Sequence, residues 1–338
     1  MRTASEGKRS MISLFDARLP GIGALCLATT LASVASAQPF PTRPVRTVLP
    51  YSAGSGPDAV MRSVGDKLGR EWGHQVLVDN KPGANSWLAL GEVKRAAPDG
   101  HTLLVVDATP MTLQPNLYKQ LPFDPVKDFE PVTPLYSTHF FVVVGANSPW
   151  KDMAGLIAAA RAKKGQVSYG SWGIGSVAHV GTAQFEGATG TEMLHVPFRE
   201  LPQLYTAVAT GEVDWAFGTA ATVDPLYRAK KVKLLAYAGP KRLAGYEDVP
   251  TVTEAGGPAG FELRTWVALY APKGTPKAVV DRINASVTKT LTEPEVRARF
   301  AGFGFEPWSA SPAEIARVSA TDTRRFADIV KRASISLD

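Results

Sequence analysis

Two hydrophobic rhythms alternate along the chain. Short continuous apolar runs read as buried strands, and stretches with apolar residues every three or four positions read as one-sided helices. Val45–Leu49 predicts the first strand. Val60, Val64, Leu68 and Trp72 then mark one face of a helix over 58–72. Residues 75–78 predict a second strand, 86–97 a second helix stopped by Pro98-Asp99-Gly100, and 102–106 a third strand. The rhythm resumes with a strand at 140–144, a helix capped by Ser148-Pro149, and strands at 167–170, 193–196, 213–217, 233–237 and 269–271. The tail is helical. Thr275-Pro276 opens a helix carrying Val279, Val280, Ile283, Val287 and Leu291, and Ser311-x-x-Glu314 reads as a capping box for the last one. Ile315, Val318, Phe326 and Ile329 of that last helix are expected to pack back on the first half of the chain.

Alternating strands and helices define an α/β protein with mostly parallel strands. Two of the strand-to-helix handovers are rich in Gly and Ser: Pro50-Tyr51-Ser52-Ala53-Gly54-Ser55-Gly56-Pro57-Asp58 and Ser171-Trp172-Gly173-Ile174-Gly175-Ser176. Such turns leave backbone N–H groups beside the positive end of a helix, where an anion is held. A tight turn that binds nothing fits the first segment equally well. Ligands of open α/β sheets sit beyond the carboxyl ends of the strands, so two facing rims predict a cleft between two lobes.

The first 37 residues read as a secretory leader. A basic segment ends near Arg18, residues 21–34 are apolar, and Ala35-Ser36-Ala37 gives an A-x-A cleavage pattern before Gln38. The long basic segment leaves Met11 as an alternative start. Four basic and two acidic residues in this segment take the formal charge from +6 to +4, a mild excess without a Lys/Arg block, which argues against nucleic acid. The one cysteine, Cys26, also lies there, so the processed chain has no disulfide, thiol nucleophile or cysteine-based metal site. A secreted chain without disulfides needs a full-sized core, as in a bacterial periplasm.

Candidate chemistry is sparse. Neither Ser55 nor Ser176 has glycine at both −2 and +2, so the nucleophile-elbow pattern is absent. His74, His101, His139, His179 and His195 have no metal-ligand spacing. His179, soon after Ser176, keeps a secreted hydrolase using that pair as an alternative. No G-x-x-x-x-G-K-[ST] motif is present, which argues against a nucleotide P-loop. Asp58 reads as an acid or base, or more simply as a helix-start residue fixing the turn. Trp87 and Trp172 read as core filling or as stacking walls for a ligand. Arg199, after a strand end, reads as a carboxylate partner or a solvated loop residue.

These turns, in this order, resemble the Bug family, the extracytoplasmic solute receptors of tripartite tricarboxylate transporters. The resemblance spans residues 40–326. It rests on Pro41-Thr42-Arg43-Pro44-Val45-Arg46, Pro50-Tyr51-Ser52-Ala53-Gly54, Asn80-Lys81-Pro82-Gly83-Ala84, Ala97-Pro98-Asp99-Gly100, Tyr169-Gly170-Ser171 and Gly211-Glu212-Val213-Asp214. Asp248-Val249-Pro250-Thr251-Val252-x-Glu254-Ala255-Gly256 and Ala271-Pro272-x-Gly274-Thr275-Pro276 complete it. It implies a type II periplasmic-binding-protein fold with crossover strands near 140–145 and 264–270. The implied organisation is a leader over 1–37, a first lobe over 38–142 and 266–338, and a second lobe over 143–265. It implies no cofactor and no metal, a monomer, a periplasmic location, and a small carboxylate ligand passed to membrane transporter subunits. Docking on a sensor kinase is the signalling alternative.

Carried over from the family, Tyr51, Ser52, Ala53, Gly54 and Ser55 form the first grip, and Asp107-Ala108-Thr109 matches the third-strand rim. Ser171, Gly173, Gly175 and Ser176 match the second-lobe grip. The chain departs from the family at Asn85-Ser86-Trp87 (usually Gly-Gly-Asn) and at Trp172-Gly173-Ile174-Gly175 (usually Ser-Gly-Asn-Gly). It departs again at Phe198-Arg199-Glu200 (often Tyr-Lys-Gly) and at Phe217-Gly218-Thr219 (often Phe-Asp). These changes remove acidic and amide groups and add two tryptophans and an arginine. They point to a more apolar carboxylate, aromatic acids included, and away from an amino acid.

Overall fold

The computed structural model describes residues 40–337. The leader, its cleavage point and Cys26 lie outside them. Two sheets form. The first has the order β11-β4-β10-β3-β1-β2, from β1 (Val45–Leu49), β2 (Val76–Asn80), β3 (Thr102–Asp107), β4 (Phe129–His139), β10 (Arg264–Pro272) and β11 (Glu306–Pro307). The second has the order β7-β6-β8-β5-β9, from β5 (Phe141–Gly145), β6 (Ser168–Ser171), β7 (Leu194–Pro197), β8 (Trp215–Gly218) and β9 (Val232–Tyr237).

In the first sheet β1 runs parallel to both β2 and β3, and in the second β6 runs parallel to both β7 and β8. Each sheet therefore has a topological switch point, at β1/β3 and at β6/β8, where crevices open at the strands' carboxyl ends. The chain changes sheet twice. It leaves the first at Phe140, between β4 and β5, and returns after Leu263, whose N–H donates to Ala238 O (3.0 Å).

The helices are α1 (Gly56–Trp72), α2 (Trp87–Lys94), α3 (Met153–Ala162), α4 (Val177–Thr189), α5 (Leu201–Thr210), α6 (Ala220–Arg228), α7 (Lys277–Thr290), α8 (Pro294–Ala301) and α9 (Pro312–Arg332). The predicted stripe of α1 (Val60, Val64, Leu68, Trp72) and that of α7 (Val280, Ile283, Val287) meet in one core with β1, β3 and β10. Burying apolar side chains of this size contributes about 1.5–3 kcal/mol each.

Three features were not read from the sequence. β4 is a full strand although Pro131 and Pro134 interrupt it. Its pairing with β10 slips at two points, bulging out Val132 and Leu135. The freed carbonyls accept from Asn284 Nδ2 (3.0 Å) and the Trp308 N–H (3.0 Å). Proline is tolerated at such bulges, where the ladder is already broken. Second, only half of the predicted capping box forms. Ser311 Oγ accepts from the Glu314 N–H (3.2 Å), but the Glu314 carboxylate turns to Arg317 (2.6 and 2.9 Å). Third, α9 packs on the first lobe along its length, as expected, and in addition reaches the second. Ile315 enters the first lobe's core and Asp322 accepts from Trp266 Nε1 (2.9 Å), while Phe326, Ile329 and Val330 cluster both with Leu113 and Leu117 of the first lobe and with Val180 of α4. The last helix thus bridges both lobes.

Candidate functional site

Strand ends from both sheets border a cleft of about 550 Å³. The first switch point contributes Tyr51, Ser55, Gly56, Pro57, Asp107 and Thr109. The second contributes Trp172, Val177, Thr219, Ala221 and Thr222, joined by Leu201 and Tyr205 of α5. The crossover region supplies Tyr136, Thr138, Phe140, Thr265, Val267 and Phe305.

Four helices point their N-terminal ends at this space. Gly56 and Pro57 are the first residues of α1, Val177 the first of α4, Leu201 the first of α5, and Ala221 and Thr222 lie in the first turn of α6. Each end carries about half a positive charge and N–H groups that the helix leaves unpaired. Among the described residues no Lys, Arg or His lines the cleft. The groups of positive sign in the lining are therefore backbone N–H dipoles.

The α1 end differs from that of α4 in its cap. Ser55 is its N-cap, yet the hydroxyl makes no capping bond. Ser55 Oγ is buried and has no partner. A buried hydroxyl left unpaired costs about 1–3 kcal/mol, so it marks a site where a partner is missing. The rest of the turn is satisfied internally. Asp58, 2% exposed, accepts from the Gly54 N–H (2.9 Å) and from Asn80 Nδ2 (2.9 Å), and Arg62 clamps it through Nε (3.1 Å) and Nη2 (2.9 Å). Burial alone would raise the Asp58 pKa, but the Arg62, Gly54 and Asn80 bonds outweigh it and hold it below the usual value. The Ser55 N–H donates to Ser52 O (3.2 Å). Ser52, Ala53 and Gly54 are exposed and lie outside the lining, as does Asp58. They build the turn and leave the cleft to Tyr51, Ser55 and the helix end.

Tyr51 lies two residues beyond β1 and Asp107 ends β3, its parallel neighbour, which brings them together. Tyr51 donates its hydroxyl to Asp107 Oδ2 (3.0 Å), and the Thr109 N–H donates to Oδ1 (2.7 Å). Burial, then the Asp107 charge, pushes the Tyr51 pKa well above the ordinary tyrosine value, so the phenol keeps its proton. Ala108 is buried beneath, its carbonyl accepting from Thr112 Oγ1 (2.7 Å).

The second Gly/Ser turn behaves differently. Trp172 lines the cleft and stacks on Phe140 (5.9 Å, 23°). Ser171, Gly173, Gly175, Ser176 and His179 do not line it. Ser171 is fully buried with its hydroxyl 2.7 Å from His195 Nε2. Ser176 Oγ caps α4 by accepting from the His179 N–H (3.3 Å), and His179 Nδ1 accepts from the Gly175 N–H (3.0 Å). His179 stacks on His195 (4.0 Å), which stacks on Tyr169 (4.9 Å). Burial lowers both histidine pKa values, that of His195 to about 4 with His179 adding repulsion. Gly175 faces the tail: a Cβ there would sit 2.7 Å from Leu117 and 2.9 Å from Leu337. In this structure the residues expected to form the second grip lie outside the cleft lining, where Ser176 caps α4 and Gly175 packs between the lobes. The Ser176–His179 pairing is between hydroxyl and backbone, not hydroxyl and ring.

Trp87 is also elsewhere. The chain enters α2 through three left-handed residues, Ala84 (φ 45°), Asn85 (φ 51°) and Ser86 (φ 72°). Trp87 then bonds Gln114 Oε1 (2.9 Å) and packs edge-on against Tyr118 (5.2 Å). Arg199 is exposed and lies outside the lining. Gly218 is beside the cleft rather than in it, because Tyr205 occupies the space. The Tyr205 hydroxyl donates to Phe217 O (2.8 Å) and would lie 2.9 Å from a Gly218 Cβ. Thr219, the N-cap of α6, lines the cleft with its hydroxyl 2.9 Å from that of Thr222.

Two α/β lobes, two crossovers and a cleft at paired switch points define the class: a periplasmic solute-binding protein fold. The chain belongs to the tripartite tricarboxylate transporter family receptors, which it matches over residues 60–335. It is 31% identical, over 92% of each chain, to the UPF0065 protein in the tcbD-tcbE intergenic region of Pseudomonas sp. (strain P51). Among solved structures it is similar to Rpa4515 of R. palustris with adipate (28% identity, TM-score 0.79, covering 88% of this chain and 99% of that one). It is similar also to MatC of Rhodopseudomonas palustris with bound malate (29% identity, TM-score 0.74, covering 86% and 100%). Family members are periplasmic receptors. Among the described residues no helix is long and apolar enough to cross a membrane.

Proposed function

We propose that this protein is a periplasmic receptor that captures a small carboxylate with an apolar, aromatic body and delivers it to membrane transporter subunits. The observation that carries the reading is the buried, unpartnered Ser55 hydroxyl at the N-terminus of α1, in a cleft with four converging helix ends and no cationic side chain. A carboxylate placed there completes the missing bond and meets the helix dipole. The body of the ligand then lies among Trp172, Phe140, Tyr136, Tyr205 and Phe305. Tyr136 and Phe305 are themselves stacked (4.2 Å, 8°), which stiffens one wall. Because the lining comes from both lobes, a ligand that touches both favours the closed arrangement by the contacts it gains only there.

Ser55→Ala is expected to weaken carboxylate binding about ten-fold, the value of one hydrogen bond to a charged group. The melting temperature of the free protein should rise, since the substitution removes a buried hydroxyl that bonds nothing in it and so relieves its cost. Titration calorimetry and thermal denaturation check both. Unchanged affinity would remove the α1 end as the anion grip.

A further inference from the structure

We propose that Asp107 is a specificity-determining residue that makes the cleft take a monocarboxylate whose far end donates a hydrogen bond, and turn away the dicarboxylate of equal length. The inference rests on the anion-binding reading of the α1 end given above. Asp107 is the one charged side chain lining the cleft among the described residues, and it has the sign opposite to that expected of a receptor for multiply charged anions. Among the described residues no Lys, Arg or His in the lining offsets it.

Its placement follows from the sheet. Asp107 is the last residue of β3, next to β1, whose end carries Tyr51 and the Ser55 turn. The same switch point thus holds an anion grip and a carboxylate. Each carboxylate oxygen receives one bond, from the Tyr51 hydroxyl (3.0 Å) and from the Thr109 N–H (2.7 Å). A carboxylate has about four acceptor sites, so capacity remains on both oxygens. Tyr51 keeps its proton, its pKa raised by burial and by that charge, and points its only O–H at Asp107, so toward the cleft it presents a lone pair. The Tyr51–Asp107 pair therefore offers acceptors and no donor.

A ligand hydroxyl or N–H satisfies that end. A second ligand carboxylate brings like charges together and supplies no proton, the arrangement that rejects a wrong partner. The positive helix end and the negative Asp107 together select a molecule that is anionic at one end only. An asparagine at 107 would keep the acceptor for the Thr109 N–H and turn its amide N–H toward the Tyr51 oxygen, so it removes the charge while keeping the size of the side chain.

Titration calorimetry on two pairs matched in length tests this: 4-hydroxybenzoate against terephthalate, and 6-hydroxyhexanoate against adipate. The wild-type protein is expected to bind the hydroxy acid of at least one pair ten-fold or more tighter than the matching diacid. Asp107→Asn should cut that preference at least ten-fold, chiefly by admitting the diacid. Tyr51→Phe, which removes the Tyr51 bond but keeps the charge, should preserve the preference. Diacids that bind the wild type as tightly as their hydroxy partners overturn the inference, as does a preference unchanged in Asp107→Asn. If the wild type binds none of the four acids, the anion-binding reading itself falls and takes the inference with it. A loss of the preference in Tyr51→Phe as well would reassign the effect to positioning of the loop and also overturn it.

Discussion

Replacing Asp58 by alanine is expected to destabilise the protein by about 1–3 kcal/mol, the cost of leaving the Gly54 N–H and Asn80 Nδ2 without their acceptor, while the half-exposed Arg62 returns to water. The substitution would strip an acceptor from Arg62, from Asn80 Nδ2 and from the Gly54 N–H at once. Asn80 also donates to Tyr51 O (3.0 Å), so the loss spreads to the residue that begins the turn. Urea denaturation measures the stability change, and calorimetry should show weaker carboxylate binding because Ser55 is no longer positioned. The effect has a defined pH dependence. The folded pKa of Asp58 lies below its ordinary value, so the carboxylate's contribution is fully present above the unfolded pKa of about 3.9. It is lost as pH falls through the folded value, and the gap between wild type and variant should close there. Equal stability of the two proteins at pH 7 would show that the turn holds without its central acceptor.

Trp172→Ala is expected to lower affinity for an aromatic carboxylate about 30-fold, corresponding to about 2 kcal/mol of lost apolar contact. Trp172 is half-buried, spans two hydrophobic clusters of the second lobe and presents its remaining face to the cleft. Binding of a short aliphatic acid should change far less, because its carboxylate is held across the cleft at the α1 end. An equal loss for both kinds of acid would mean that Trp172 supports the lobe and does not contact the ligand.

Much of the fold was legible because its signals are local. The β1-to-α1 handover is written in Gly54, Ser55, Gly56 and Pro57, and the stripe at 60, 64, 68 and 72 gives the buried face of α1. Tyr51, Ser55, Asp107, Thr109, Trp172 and Thr219 all follow or end strands at the two switch points, and the structure gathers them into one cleft. The other residues depend on packing that no local pattern encodes. Ser176 resembles Ser55 in sequence context, but its hydroxyl caps α4 whereas that of Ser55 caps nothing. Gly175 is pressed on by Leu337, more than 150 residues later in the chain, which turns the second Gly/Ser segment toward the tail.

The crossover wall was missed for a different reason. Tyr136, Thr138 and Phe140 belong to or follow β4, whose prolines hide it, and Phe305 reaches the cleft from the loop before β11. Thr265 and Val267 line the cleft only because β10 lies between β4 and β3. Their role is a property of strand order. The same holds for the four helix ends, of which the sequence suggested two: those of α5 and α6 reach the cleft because the second sheet faces the first.

The measurement closest to the central claim is titration calorimetry of the wild-type protein against a panel of aliphatic mono-, di- and tricarboxylates and aromatic acids. A carboxylate grip made of backbone dipoles within aromatic walls predicts that at least one aromatic monocarboxylate binds more tightly than citrate and the other aliphatic polyacids. Citrate-like ligands binding more tightly than every aromatic acid would contradict it.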